Sequence, residues 1–311
     1  METQILGLHH MTAIAGDAQR NYDFYTKTLG FRLVKKTVNF DDPKTYHFYF
    51  GDEIGTPGTI ITFFPWANVR QGKNGAGMVT EIGYSVPKGS LEFWKERFEK
   101  LNVQNNSISE RFGEKFLSFE DPDGLRLNLI EVKEDERKGY ITSEVNVDVA
   151  IKGFHTVTLT LNNIKATAEI LTEVFGYIPA EKEGNLYRYQ TDAVENAAFV
   201  DLLEIPQATR GLNAGGTNHH VAFRVKDEEA LMEVRKQIVA RGLHITEKIN
   251  RDYFFSLYFR EPGGVLFEIA TDNPGFATDE TVENLGSSLQ LPEQFEHMRE
   301  QIQNGLAEIK R

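Results

Sequence analysis

Short apolar runs rich in β-branched and aromatic residues alternate with longer mixed stretches along this chain. Four runs predict strands: Leu8–Ala15 (LHHMTAIA), Met78–Val86 (MVTEIGYSV), Gly153–Leu161 (GFHTVTLTL) and Thr217–Val225 (TNHHVAFRV). Each leads into a helix candidate: Asp17–Leu29, Ser90–Leu101, Asn163–Phe175 and Asp227–Arg241, all opening on a residue that can cap the free amides of a first turn. Gly30, Asn102, Gly176 and Gly242 then stand where a left-handed residue ends a helix, each followed by an apolar residue. Further strand-like runs close with Ile60–Trp66, Leu125–Val132, Ala198–Ile205 and Val265–Thr271. The turns TPG (Thr56–Gly58), DPDG (Asp121–Gly124) and EPGG (Glu261–Gly264) precede three of them.

The chain therefore repeats a strand, helix, three-strand unit four times, with a period of about seventy residues. This predicts an α+β fold of four βαβββ modules, paired into two curved-sheet domains. The charged stretch Lys133–Tyr140 (KEDERKGY) separates an N-terminal domain, 1–135, from a C-terminal domain, 150–273. A tail, 274–311, carries one predicted helix, Pro292–Ile309, as a packing or capping element. Two such units side by side make a cup lined by alternate strand residues, which either holds a site or is filled by its own side chains.

Composition narrows the function. The 311 residues include no cysteine, which excludes disulfide scaffolds and cysteine-ligated metals. A net charge of −12 argues against nucleic acid and anionic membranes, whose binding needs a basic surface. The opening METQILGLHHMT lacks the basic start and apolar run of a secretory signal, and no stretch approaches a membrane span. A cytoplasmic location is the expectation; monomer and homo-oligomer both stay open.

Five of the eight histidines lie in the opening strands of modules: His9, His10, His155, His219 and His220. One strand histidine is more often a core residue than a ligand, but two HH doublets at nearly the same place in modules one and four are a pattern. Only one member of a doublet can face into a cup. Glu268 is the carboxylate that completes a site, because it interrupts the apolar run Val265–Ala270 (VLFEIA), where an unpaired charge is costly. Asn128 and Thr62 stand at the same count in modules two and one. Two imidazoles and one carboxylate form a facial triad suited to Fe(II) or Mn(II), and Zn(II) is also allowed by ligand type. His220 and Glu268 come from one module; the third ligand is His10 or His155.

Taken together, LHHMT, GFHTVTL, NHHVAF and RDYFFSLYFREPGGVLFEIATD resemble the vicinal oxygen chelate superfamily, and within it the ring dioxygenases of the 2,6-dichlorohydroquinone dioxygenase type. The likeness covers essentially the whole chain, including the LG…L…LP pattern of Leu285–Pro292. It implies a ring-opening dioxygenase that uses Fe(II) or Mn(II) and takes substituted hydroquinones and O2. It implies His10, His220 and Glu268 as ligands, and His9, Thr12, His219, Arg251 and Tyr258 as pocket residues that hold charge or move protons. His155 then lies outside the site, whereas a catechol enzyme would use it as a ligand. A glyoxalase-like isomerase, which usually needs a second carboxylate, and a metal-free aromatic-binding module are the other readings.

Overall fold

The structure is a computed structural model that describes residues 5–311. Four modules follow one another, as the repeat predicts. The first consists of strand β1 (Leu8–Ala15), helix α1 (Ala18–Asp23), and strands β2 (Arg32–Val38), β3 (Tyr46–Gly51) and β4 (Ile60–Pro65). The second has β5 (Met78–Pro87), α2 (Leu91–Lys100), β6 (Ser109–Arg111), β7 (Glu114–Glu120) and β8 (Arg126–Val132). The third has β9 (Gly153–Leu161), α3 (Lys165–Glu173), β10 (Ile178–Glu183), β11 (Leu186–Gln190) and β12 (Phe199–Glu204). The fourth has β13 (Thr217–Val225), α4 (Glu228–Ala240), β14 (Ile249–Asn250), β15 (Phe254–Arg260) and β16 (Leu266–Pro274). Residues 30, 102, 176 and 242 all adopt positive φ, between 55° and 77°, so each helix ends in the left-handed residue that its Gly or Asn makes affordable.

The pairing of modules departs from the expected split at 1–135 and 150–273. One eight-stranded sheet runs β14-β15-β16-β13-β1-β4-β3-β2 and joins module four to module one. The other, β10-β11-β12-β9-β5-β8-β7-β6, joins module three to module two. Each sheet is thus built from both halves of the chain, through antiparallel pairing of opening strands, β1 with β13 and β5 with β9. Local patterning cannot choose among four similar opening strands; the pairing is settled by long-range packing. Residues 68–76 and 209–216 tie the linkers between modules together, with Gly72 N donating to Gly215 O and Lys73 N to Leu212 O.

Strand alternation divides the residues between two environments. Met11, Ala13, Phe48, Phe50, Ile61, Phe63, Val221, Phe223, Phe267 and Ile269 join the helix residues Tyr25, Trp94, Phe98 and Ile170 in one continuous core. Their neighbours one residue away, among them His10, Thr12, His47, Tyr49, Thr62, His220, Tyr258 and Glu268, face the concave side of the first sheet.

The tail departs from one long helix. A 3-10 segment, Glu293–Met298, precedes a short α-helix, α5 (Arg299–Gly305), and neither has a side-chain cap. Phe276 and Leu285, from the segment before it, pack with Tyr49, Tyr253 and Phe254 and close one end of the concave face. The buried Lys35 ammonium fastens this segment through Asp279 and, at 2.7 Å, Glu280. Helix one also differs: its last turn, Phe24–Thr28, is a π-helix that seats both Phe24 and Tyr25 in the core. Among the described residues no helix is long and apolar enough to cross a membrane.

Candidate metal centre

The concave face of the first sheet brings His10 from β1, His220 from β13 and Glu268 from β16 together, with one ligand atom of each within 4.8 Å of the others. Among the described residues this is the one such group of three or more. Register explains the convergence. Glu268 is paired with Ala222, two residues beyond His220, and Thr12, two beyond His10, is paired with His220. The Glu268 carboxylate is wholly buried, and its Oε2 lies 2.7 Å from His220 Nε2 and 3.2 Å from His10 Nε2. Neither approach has the direction of a hydrogen bond: both Glu268 oxygens and His220 Nε2 are buried without a hydrogen-bond partner. Two donor atoms each about 2.1 Å from one cation, at right angles, sit about 3 Å apart. The crowding and the missing partners both fit a cation shared by the three side chains. Burial alone would raise the Glu268 carboxyl, but positive charge on the adjacent His10 and His220 imidazoles outweighs it and holds it well below the usual carboxylate range.

Behind each inner histidine stands its doublet partner. His9 Nδ1 is 2.9 Å from His10 Nδ1, and His219 Nδ1 is 2.8 Å from His220 Nδ1. The two partners are not equivalent. His9 Nε2 meets the carbonyl oxygen of Thr271 at 3.1 Å. A carbonyl only accepts, so His9 carries its hydrogen on Nε2, accepts at Nδ1, and obliges His10 to donate from Nδ1. His10 Nε2 is left as a bare lone pair aimed at Glu268, and the expectation that His9 lines the pocket is corrected: both of its nitrogens are committed behind the site. His219 has no such backbone partner and lines the cavity. Burial, and then the His220 charge, push its pKa down to about 3, so its ring is neutral.

A cavity of about 290 Å³ opens in front of the three side chains. Thr12, Arg251 and Tyr258 line it. Tyr258 stands directly across from Glu268 on β15, and Arg251 Nε donates to its hydroxyl oxygen at 3.3 Å. Burial, then the Glu268 charge, raise the Tyr258 phenol and keep it protonated. His47, Tyr49, Phe64, Trp66 and Phe254, none of them marked by local pattern, also line the cavity; Phe254 lies with its ring 4.9 Å from that of His10. His47 sits in the aromatic run YHFYF, where nothing but strand alternation could have singled it out.

The second sheet shows what the same architecture becomes without a site. Its register sets Thr156, Glu81, Asn128 and Asp201 at the places of His10, His220, Glu268 and Thr62. Arg111 reaches Glu81 at 3.1 Å, Asn128 Nδ2 donates to Glu81, and Arg188 grips Asp201 through two bonds of 2.8 and 3.0 Å. Arg188 also meets Glu114 at 2.6 Å, and His155 Nε2 meets the same carboxylate at 2.8 Å. Around Asp201 and Glu114 this cup is occupied by the guanidinium groups of Arg111 and Arg188. His155, the alternative third ligand, belongs to it and not to the His10–His220–Glu268 group.

The sequence family model described as Glyoxalase/Bleomycin resistance protein/Dioxygenase superfamily matches residues 7–129 and 153–269. The chain belongs to that superfamily. Among relatives in it, a Bacillus subtilis (strain 168) protein provisionally named ring-cleaving dioxygenase MhqO is 49% identical over 306 residues, covering 98% of this chain and 97% of its own. The chlorohydroquinone/hydroquinone 1,2-dioxygenase of Sphingobium indicum is 37% identical, covering 96% and 95%. The crystal structure of a provisionally named dioxygenase from Bacillus subtilis matches with a TM-score of 0.95 at 48% identity, over 99% of this chain and 98% of that one.

Proposed function

We propose that this chain opens the ring of substituted hydroquinones with O2, using Fe(II), or alternatively Mn(II), held by His10, His220 and Glu268. The observation that carries the reading is the wholly buried Glu268 carboxylate, without a hydrogen-bond partner, among two imidazoles at the floor of a cavity of aromatic-ring size. Zn(II) fits the ligand types, but it lacks the redox chemistry this reaction needs. A bound redox metal with open positions supplies an electron path between a ring oxygen and O2. The similarity to the chlorohydroquinone/hydroquinone dioxygenase supports the choice of substrate. We place the activity in the cytoplasm.

The remaining chemistry falls to this chain's own residues. Arg251 presents a permanent positive charge to the negative charge that develops on the ring oxygens. Because Arg251 donates to the Tyr258 oxygen, the Tyr258 hydrogen is free to meet a substrate oxygen. With His220 Nε2 turned to Glu268, His220 would donate from Nδ1 to His219, so that His219 holds its own hydrogen on Nε2, from which it can donate a hydrogen bond to an oxygen of the substrate or of the opened product. Phe64, Trp66 and Phe254 form apolar walls that exclude water around these groups. Thr62, at the place symmetric with Glu268, offers no second carboxylate of the kind a glyoxalase-type isomerase would use.

The test is oxygen uptake by protein loaded anaerobically with Fe(II), across methylhydroquinone, chlorohydroquinone and catechol, with isomerisation of a glutathione hemithioacetal in parallel. Hydroquinones should consume one O2 per ring opened. Preference for catechol, or isomerisation without oxygen, rejects the reading. Glu268→Gln should lose most of its bound metal; a full equivalent retained with unchanged activity rejects Glu268 as a ligand.

A further inference from the structure

We propose that Tyr49, acting through His47 and Thr62, fixes Thr12 as a hydrogen-bond donor to an ionised oxygen of the bound ring. Tyr49, His47 and Thr62 are then positioning residues. The inference rests on the hydroquinone reading and refines how that substrate is held.

The four side chains occupy the concave face of three adjacent strands, β1, β4 and β3. Their polar atoms form an unbroken line. The Tyr49 hydroxyl is 3.0 Å from His47 Nδ1, His47 Nε2 is 2.9 Å from Thr62 Oγ1, and Thr62 Oγ1 is 3.0 Å from Thr12 Oγ1. All four residues are buried, so the acceptors open to each hydrogen are the other members of the line and whatever occupies the cavity bordered by Thr12, His47 and Tyr49.

Elementary acid–base chemistry sets the direction. An imidazole nitrogen is a far stronger acceptor than a phenol oxygen, and a phenol is a stronger donor than a neutral imidazole N–H. Tyr49 therefore donates to His47 Nδ1. Burial above all holds His47 neutral, with a pKa well below the usual histidine value, so its single hydrogen sits on Nε2 and goes to Thr62. Thr62 is wholly buried, and its one other hydroxyl neighbour is Thr12, which receives its hydrogen. Thr12 has accepted, and its own hydrogen is left over. Thr12 lines the cavity and stands opposite His220, so that hydrogen is delivered beside the candidate metal centre.

The reverse direction would use the phenol as the weaker acceptor and would leave the tyrosyl hydrogen to be placed. The Tyr49 ring is held in position edge-on to Phe276 at 5.2 Å and Tyr253 at 6.0 Å, which keeps the hydroxyl oxygen beside His47 Nδ1. A donor at Thr12 selects a substrate atom that offers a lone pair. An ionised ring hydroxyl qualifies, and a protonated ring amine does not.

The first readout needs no turnover. Long-range proton–nitrogen spectra of Zn(II)-loaded protein, with the His47 signals assigned through His47→Gln, should show His47 protonated on Nε2 in the wild type and mixed in Tyr49→Phe. His47 protonated on Nδ1 in the wild type overturns the proposal. The second readout is coupling. Tyr49→Phe and Thr62→Val should each lower kcat/KM for methylhydroquinone about ten-fold, the loss of one oriented hydrogen bond, and Thr62→Ser should restore it. On a Thr12→Val background, Tyr49→Phe should have less than about a two-fold effect, because the end of the line is already gone. Additive losses overturn the proposal. A wild type that consumes no O2 with any hydroquinone defeats the activity reading alone, and the tautomer measurement still decides the relay.

Discussion

Replacing His9 with phenylalanine separates the two halves of the ligand argument. The aromatic ring keeps its packing against Phe254, 5.3 Å away, while both hydrogen bonds of His9 are lost. His10 then has no protein acceptor for its Nδ1 hydrogen, in a place where His9 and His10 are each only 2% exposed. A buried unsatisfied donor costs about 1–3 kcal/mol. The free protein escapes much of this by moving the hydrogen to Nε2, towards Glu268; the metal-bound protein cannot, because Nε2 must ligate. The cost therefore falls on the bound state and weakens metal binding by about 5- to 150-fold, at 1.4 kcal/mol per factor of ten. His219→Phe breaks a bond of the same length, but His219 borders the cavity, where water can take its place, so the weakening should stay below about five-fold. Competition with a chromophoric chelator, using Mn(II), measures both affinities, and a thermal melt confirms that both variants fold. Equal weakening by the two variants, or unchanged binding in His9→Phe, refutes the tautomer argument built on the Thr271 carbonyl.

Two further outcomes test the fold around the site. Arg188→Met leaves Asp201 and Glu114 without their shared guanidinium and should destabilise the protein by roughly 3–5 kcal/mol, read from urea unfolding, with metal binding in the first cup unchanged; full stability would show that the second cup is not locked by this arginine. Asp121, pushed up from 3.8 to about 7 by burial in spite of the bonds it accepts from Leu125, Asp123 and Tyr25, is protonated in the folded state at a pH where the unfolded chain has already lost the proton. Its contribution to stability is complete below about pH 4 and is lost as pH rises through about 7, on the order of 4 kcal/mol in all. Asp121→Asn should flatten that slope relative to the wild type, and parallel stability–pH curves would contradict the assignment.

Much of the architecture could be read from local pattern. Three of the four opening strands have the expected limits, and β5 runs one residue beyond them, to Pro87. The helix ends at Gly30, Asn102, Gly176 and Gly242 were legible because a left-handed residue leaves a chemical mark. Glu268 stood out because a carboxylate inside an apolar strand has no bland explanation. What could not be read depends on distance in sequence. Nothing local distinguishes β13 from β5 as the partner of β1, so the sheets were divided along the chain instead of across it. Nor does the HH spelling show that His9 is locked and His219 free: the difference is a main-chain carbonyl at Thr271, which carries no side-chain signature. The relay through His47 was hidden for a related reason, since its partners Thr62 and Tyr49 become neighbours only when three strands align.

The union of the first module with the last also sets an order of events during synthesis. His10 leaves the ribosome about 260 residues ahead of Glu268, a delay of roughly 13–50 s at ordinary elongation rates of 5–20 residues per second. In that interval modules two and three can assemble their own sheet, locked by Arg188 and Asp201, while β1 waits with its concave face uncovered. His10, His220 and Glu268 can come together only once nearly the whole chain has been made. A truncated product can fold a sheet, but it cannot acquire the site.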